Sequence, residues 1–450
     1  MPHFKIALPL GAATCALALA GTALPAAGQD LDVLRREIQQ MQQQNQAELE
    51  KIRRDYETRL QTMEERLKAA ETTVEAKSTA ASRPSGKETQ PSPAAFNPAI
   101  GVVLDGKFTR TKRDSGNYRI PGFAVGGEAG PPQRGLAIGE SEMNLSSNID
   151  QSLFGNLTIA YDGQGAAAVE EAYLQTTALP AGLTLRAGRF FSGIGYLNEQ
   201  HAHTWDFADA PLTHRAFLNT QYGDDGVQLR WLAPTNFFFE VGAEAFRGAG
   251  FPAGGAANRG VGTYGLFAHV GDDLNQSSNF RTGLSLLTTT ANNRQTTSEF
   301  GTDSFSGDSN TFIYDLVYNW APDGNRTDQY LKLQGEYFLR QEQGRFNALP
   351  YSAGQTGWYL QAIYQFMPKW RVGLRHDRVA SELPDITLAG TILDPNGANP
   401  HRSSAMIDYS TSEFGRFRLQ FNRDQSGPEI DNQALLQYTV SFGAHGAHSY

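Results

Sequence analysis

From residue 99 to 442 the sequence alternates polar and apolar side chains, and it contains no helix-length amphipathic run. "GVQLRW" (226–231), "LKLQGEYFLR" (331–340), "RFRLQFN" (416–422) and "LQYTVSF" (436–442) each set aliphatic or aromatic groups on one face. Arg, Lys, Gln, Glu, Asn or Ser fall on the other. A period of two is the signature of strands. So long a run cannot all surround a dry core, because Lys332, Glu336, Arg340, Arg416 and Arg418 would be buried without partners. A transmembrane barrel removes the conflict: apolar groups meet lipid and polar groups meet a water-filled lumen.

About sixteen such segments are predicted, starting near residues 100, 136, 153, 169, 183, 226, 237, 263, 280, 311, 330, 357, 370, 404, 416 and 434. Links from even to odd segments are short and turn-like, among them Asp150–Gln151, "LPAG", "APTN", "MPKW" and "SEFG". Links from odd to even segments are mostly long: 110–134, 190–222, 247–262, 290–310, 341–356, 380–402 and 423–433, with only the one near 162–167 brief. Such alternation places both barrel ends on the periplasmic side. Trp231 and Trp320 just before short Pro-containing turns, and Trp370 just after one, fit a girdle at the inner interface. A soluble sandwich or propeller is the competing fold.

The chain before this region is different. Residues 1–28 have a basic start and an apolar run broken by Pro9, Gly11 and Gly21, then small residues at Ala26 and Gly28, which reads as an export signal. Cys15 lies within it, so the exported chain would hold no cysteine for disulfides, thiolate zinc sites or thiol catalysis. Across 29–72, apolar positions such as 34, 41, 52, 56, 63 and 67 follow an eleven-residue repeat, which predicts a nearly straight coiled coil and hence oligomerisation. Asn45 in that stripe would fix register. Residues 73–98 are a Pro/Ser/Ala-containing linker, and 99–450 are the barrel region.

"EEAYLQTTALPAGLTLRAGRF" (170–190), "GVQLRWLAP", "LKLQGEYF" and "GWYLQAIYQF" together resemble the phosphate-selective porin O/P family over roughly residues 97–450. The resemblance implies sixteen-stranded, homotrimeric outer-membrane channels, some with an N-terminal coiled coil. "NEQHAHTWDF" and "GAHGAH" look like a subgroup described as zinc-regulated outer-membrane receptors. Energy-coupled receptors carry a folded plug ahead of the barrel, whereas only coiled coil and linker precede it here.

If the third long loop (190–222) folds inward, as in porins of general type, it narrows the pore. His201, His203, Asp206, Asp209, His214 and Arg215 would then face water, with Tyr196, Trp205, Phe207 and Pro211 anchoring the loop to the wall. A sharper reading makes His201, His203 and Asp206 ligands for a zinc-type divalent metal, with His445 and His448 as further imidazoles. The ordinary reading of loop histidines is polar lining, and no cofactor is otherwise expected. Predicted lumen charges are mixed: Arg186, Arg230, Lys332, Arg371, Arg375, Arg416 and Arg418 against Glu240, Asp315, Glu336, Asp377 and Asp408. Residues 1–98 hold equal numbers of Lys+Arg and Asp+Glu, so the whole net charge of −9 falls on the barrel region. Together with the lack of any linear run of arginines, this favours cations or neutral solutes over phosphate.

"GVGTYG" (260–265) has dinucleotide spacing but lacks the flanking strand and helix. No P-loop, H-E-x-x-H or G-x-S-x-G occurs. An acidic, exported chain does not suit nucleic acid. The expectation is therefore a non-enzymatic porin in outer-membrane lipid that passes small solutes or ions. A metal-ion channel or receptor is the first alternative, and a hydrolase on the barrel rim is the second.

Overall fold

A computed structural model describes residues 98–443 except 114–117, 162–165, 255–257, 259, 299–300 and 383–385. The predicted signal segment, coiled coil, nearly all of the linker and the His445/His448 tail lie outside the described residues.

The strands are β1 (Ala99–Arg110), β2 (Gly135–Ile138), β3 (Ser141–Asn148), β4 (Leu153–Tyr161), β5 (Ala167–Thr176), β6 (Leu183–Phe191), β7 (Gly223–Leu232), β8 (Phe238–Phe246) and β9 (Thr263–Asn275). They continue as β10 (Ser278–Ser298), β11 (Gly301–Trp320), β12 (Tyr330–Phe346), β13 (Leu349–Met367), β14 (Trp370–Ser381), β15 (His401–Ser412), β16 (Gly415–Asp424) and β17 (Asp431–Gly443). All pairings are antiparallel between neighbours around the ring. β17 closes on β1 from Gly101↔Gly443 to Arg110↔Ala434, which leaves no free edge. β2 and β3 both pair with β1 in registers one residue apart, so they are two halves of one position, split by a bulge around Gly139–Glu140. The result is a closed barrel of sixteen positions with one extra strand segment. Among the described residues no helix is long and apolar enough to cross a membrane; a barrel crosses with strands.

Side-chain direction follows the alternation read from sequence. On β14, Leu374 is 66% exposed while Arg375 is 3% exposed. Leu284, Leu266, Leu360, Leu436 and Phe421 likewise point out of the barrel, whereas Asp315, Glu336, Gln437 and Arg418 point in. Leaving so many large apolar groups in water would forfeit about 1.5–3 kcal/mol each. Trp320 ends β11 and Trp231 is the last residue but one of β7, each just before a turn, and Trp370 begins β14 just after one, packing on Tyr409 with centroids 4.7 Å apart.

Two of the predicted long loops are instead strand. Residues 290–298 and 301–310 extend β10 and β11 to strands of 21 and 20 residues, and 341–356 extend β12–β13 around a turn at Asn347–Ala348. These extensions are rich in Thr, Asn, Ser, Gln and Gly, so hydropathy reads them as loop. Antiparallel pairing continues regardless, because the backbone ladder needs no apolar face.

Candidate functional site: a loop across the lumen

The segment between β6 and β7 leaves the wall and crosses the barrel. Gly195 makes the turn: its φ is +65°, and a Cβ there would lie 2.3 Å from Glu336 Oε1. A glycine is therefore needed on both conformational and steric grounds. The Gly195 N–H donates to Ser285 Oγ (3.0 Å) and the Tyr196 N–H to Glu336 Oε1 (2.7 Å). The chain then forms a short helix, Leu212–Leu218, closed by Asn219 in the left-handed region, and all seven of its residues are buried.

Three contact groups fasten the loop. Towards β14–β16, Asp209 accepts from Arg375 (2.7 Å), Arg402 (3.0 Å), Gln420 (2.9 Å) and Asn422 (3.1 Å), and within the loop from Arg215 (3.0 Å). The same wall grips the loop backbone: Arg416 donates to His203 O (2.8 Å), Arg418 to Trp205 O (2.9 Å) and Arg402 to Ala210 O (2.6 Å). Towards β12–β14, Asp206 accepts from Lys332 (3.0 Å), Gln361 (3.2 Å) and Arg371 (3.3 Å). His214 Nε2 and Glu336 Oε2 lie 2.6 Å apart, and Tyr359 also donates to that oxygen (2.8 Å). Towards β3 and β5, His201 Nδ1 is 3.1 Å from Glu142 and Glu170, its Nε2 is 3.2 Å from Glu171, and His203 Nδ1 is 2.9 Å from Glu142.

Charge states of the loop groups follow. Burial opposes ionisation of Asp209, but Arg402, Arg375 and Arg215 overcome it and hold the carboxyl well below the usual range. Asp206 is lowered too, against burial, by Lys332 and Arg371. For His201 burial disfavours the cation, yet Glu142, Glu170 and Glu171 raise it well above an ordinary imidazole.

The loop does fold inward, but its polar groups do not face water as the sequence reading expected. His203, Asp206, Asp209, His214 and Arg215 are buried anchors, and only His201 is partly exposed. Trp205, Phe207 and Pro211 pack as anticipated; Phe207 sits against Ile363 and Met406, with Arg375 4.4 Å over its ring. Asp206 is committed to Lys332 and Arg371, and the carboxylate beside the two histidines is Glu142. The predicted lumen charges all point inward, but Asp315, Glu336, Arg371, Arg375, Asp377, Asp408, Arg416 and Arg418 are buried rather than bathed in water. Arg371 and Arg418 pair with Asp408 (2.5 and 2.8 Å), and Arg402 and Arg375 with Asp377 (3.2 and 3.3 Å). Arg186, Arg230, Glu240 and Lys332 stay half-buried, and Glu199 on the loop pairs with both Arg186 and Arg230. Arg186 also lies 4.5 Å over the Tyr173 ring and donates to Gln175 (3.0 Å).

Two further loops enter the lumen and were missed. Ile120, Phe123 and Val125 pack on the buried helix residues Ala216 and Phe217, and Leu388, Ile392 and Leu393 pack on Phe305, Phe346 and Tyr351. The apolar runs "YRIPGFAV" (118–125) and "ITLAGTIL" (386–393) inside long polar loops are the signal that could have found them.

Glu336 offers a direct test of this anchoring. Its carboxylate serves the Tyr196 N–H, the Tyr359 hydroxyl and His214. Glu336→Ala is expected to cost about 1–3 kcal/mol for each donor left buried and unpaired. Chemical denaturation in detergent measures the loss, and an unchanged midpoint would refute the role.

No family model matches the chain. A protein of Aquifex aeolicus (strain VF5), described only as an uncharacterized protein, is 28% identical over 390 residues, covering 80% of this chain and 81% of the relative. Among solved structures, a loop L8 deletion mutant of OmpT, an outer membrane protein of Vibrio cholerae, superposes with a TM-score of 0.51 at 11% identity, covering 77% of this chain and 99% of that one. An anion-selective porin from Comamonas acidovorans gives 0.49 at 10% identity over 77% and 99%. The fold is a large, closed, antiparallel barrel. Its lumen is crossed by an inward-folded third loop.

Proposed function

We propose that this protein is an outer-membrane channel for passive diffusion of small hydrophilic solutes, with the 192–222 loop as its constriction and no covalent chemistry. The observation that carries this reading is a loop tied across the lumen of a barrel whose outer face is apolar. Neutral or cationic solutes fit better than anions. The buried arginines of β14–β16 share Asp206, Asp209, Asp377 and Asp408 with Lys332 and Arg215 and are engaged in holding the loop, while the barrel region as a whole carries the net charge of −9. Association into homotrimers, and membership of the phosphate-selective porin group, belong to the same proposal. The stripe in 29–72 and the overall fold support the first, while the charge balance argues against phosphate as the solute.

Planar-bilayer recording of the purified protein tests this. Stepwise conductance with a reversal potential in asymmetric KCl that is near zero or cation-preferring is expected. Absence of steps would refute the channel, and strong anion preference would refute the solute class. Uptake of a metal ion is the second reading, favoured by the Glu142–His201–His203 group.

A further inference from the structure

We propose that Glu142, His201 and His203 form a binding site for a divalent transition-metal ion of the zinc class, which fastens the constriction loop to the barrel wall. The ion is a latch in this account, not the cargo. The ligand atoms of the three side chains lie within 4.8 Å of one another. A tetrahedral ion with bonds of about 2.0–2.2 Å sets its donors roughly 3.3–3.6 Å apart, so a shift of about an ångström closes the site. Two imidazoles and a carboxylate are a donor set that suits zinc. Once one nitrogen of His201 is bound, the other keeps a carboxylate partner in Glu171 (3.2 Å from Nε2), the arrangement that orients metal-bound imidazoles.

The wall is built for this convergence. In regular alternation, consecutive residues cannot both face the lumen. On β5 a bulge leaves Glu170 unpaired between Thr158↔Glu171 and Ile159↔Val169, and both glutamates reach His201. The β2–β3 bulge does the same beside Glu142: Glu140, Glu142 and Glu170 form a second close group. Several carboxylates therefore converge on two imidazoles in a weakly solvated place, an oxygen and nitrogen donor set for a divalent cation. The side chains of Glu142 and His203 are 3% and 0% exposed, while that of His201 is 24% exposed and gives an ion a route from the lumen.

The test uses the full chain, folded in detergent and stripped with chelator, in a His445→Ala/His448→Ala background so that tail imidazoles do not contribute. Calorimetric titration with ZnCl2 is expected to show one ion per chain at micromolar affinity or tighter. Glu142→Gln and His203→Ala should each weaken binding at least tenfold while heat-modifiable gel mobility shows an intact barrel. No stoichiometric binding, or wild-type affinity in a folded His203→Ala protein, would overturn the site. Zinc should also steady the conductance of the parent and not of His203→Ala. That arm rests on the channel reading, and binding without any conductance would contradict the channel while supporting the site.

Discussion

Replacing Asp209 by alanine is expected to release the constriction loop and raise single-channel conductance. The carboxylate is the shared counter-charge of Arg215, Arg375 and Arg402, all buried. Its removal takes the carboxylate from Arg215 and leaves Arg375 and Arg402 sharing Asp377 out of water, and breaking such a buried pair costs about 3–5 kcal/mol. The barrel wall retains its ladder, so the cost is expected to be relieved by movement of the loop. Asp209→Asn keeps acceptor geometry and should have a smaller effect. The pH dependence carries a definite sign. The folded-state value is depressed from the ordinary 3.8, so the contribution is full above 3.8 and is lost only as pH falls through the lowered value. Conductance should therefore hold constant from pH 7 down to pH ~4 as far as this anchor is concerned. Unchanged conductance and stability in Asp209→Ala would refute the anchor.

The second large effect is expected on the outer face. Leu374 stands outward on β14, between the inward Gly373 and Arg375. Leu374→Arg sets a cation in hydrocarbon and should cost about 2–4 kcal/mol if the site is near the midplane. Folding yield into preformed liposomes should drop, while the same change in a soluble sandwich would be nearly neutral at so exposed a position. Equal yields for Leu374→Arg and the parent would argue that this face meets water.

Much of the barrel was legible because one rule, alternation, fixes strand position, register and side-chain direction together. The predicted starts near 183, 263, 330 and 370 coincide with observed strand starts. The constriction loop was legible only as a resemblance. That it crosses the lumen depends on partners scattered over β3, β5, β12, β14, β15 and β16. The arginine wall illustrates why: Arg375, Arg402 and Arg418 form no run in sequence and meet only through the β14–β15–β16 register. Glu170 was hidden for another reason. Strict alternation assigns it to the face opposite Glu171, and a bulge that reverses the assignment leaves no mark in residue type. Asp206 was grouped with the histidines by proximity along the chain, yet the loop turns between them and gives it to Lys332 and Arg371.

Everything rests on the outward face of the strands meeting lipid while the inward face does not. Nitroxide labels at Leu436→Cys and Tyr438→Cys, and at Gln437→Cys and Thr439→Cys, in a Cys15→Ser background reconstituted into bilayers, test this on β17, where 436 and 438 are exposed and 437 and 439 buried. Collisions with oxygen should be frequent at 436 and 438 and rare at 437 and 439, with a water-soluble nickel quencher excluded from the first pair. Labels at 436 and 438 that meet the nickel quencher as freely as a loop position would contradict a membrane-spanning barrel.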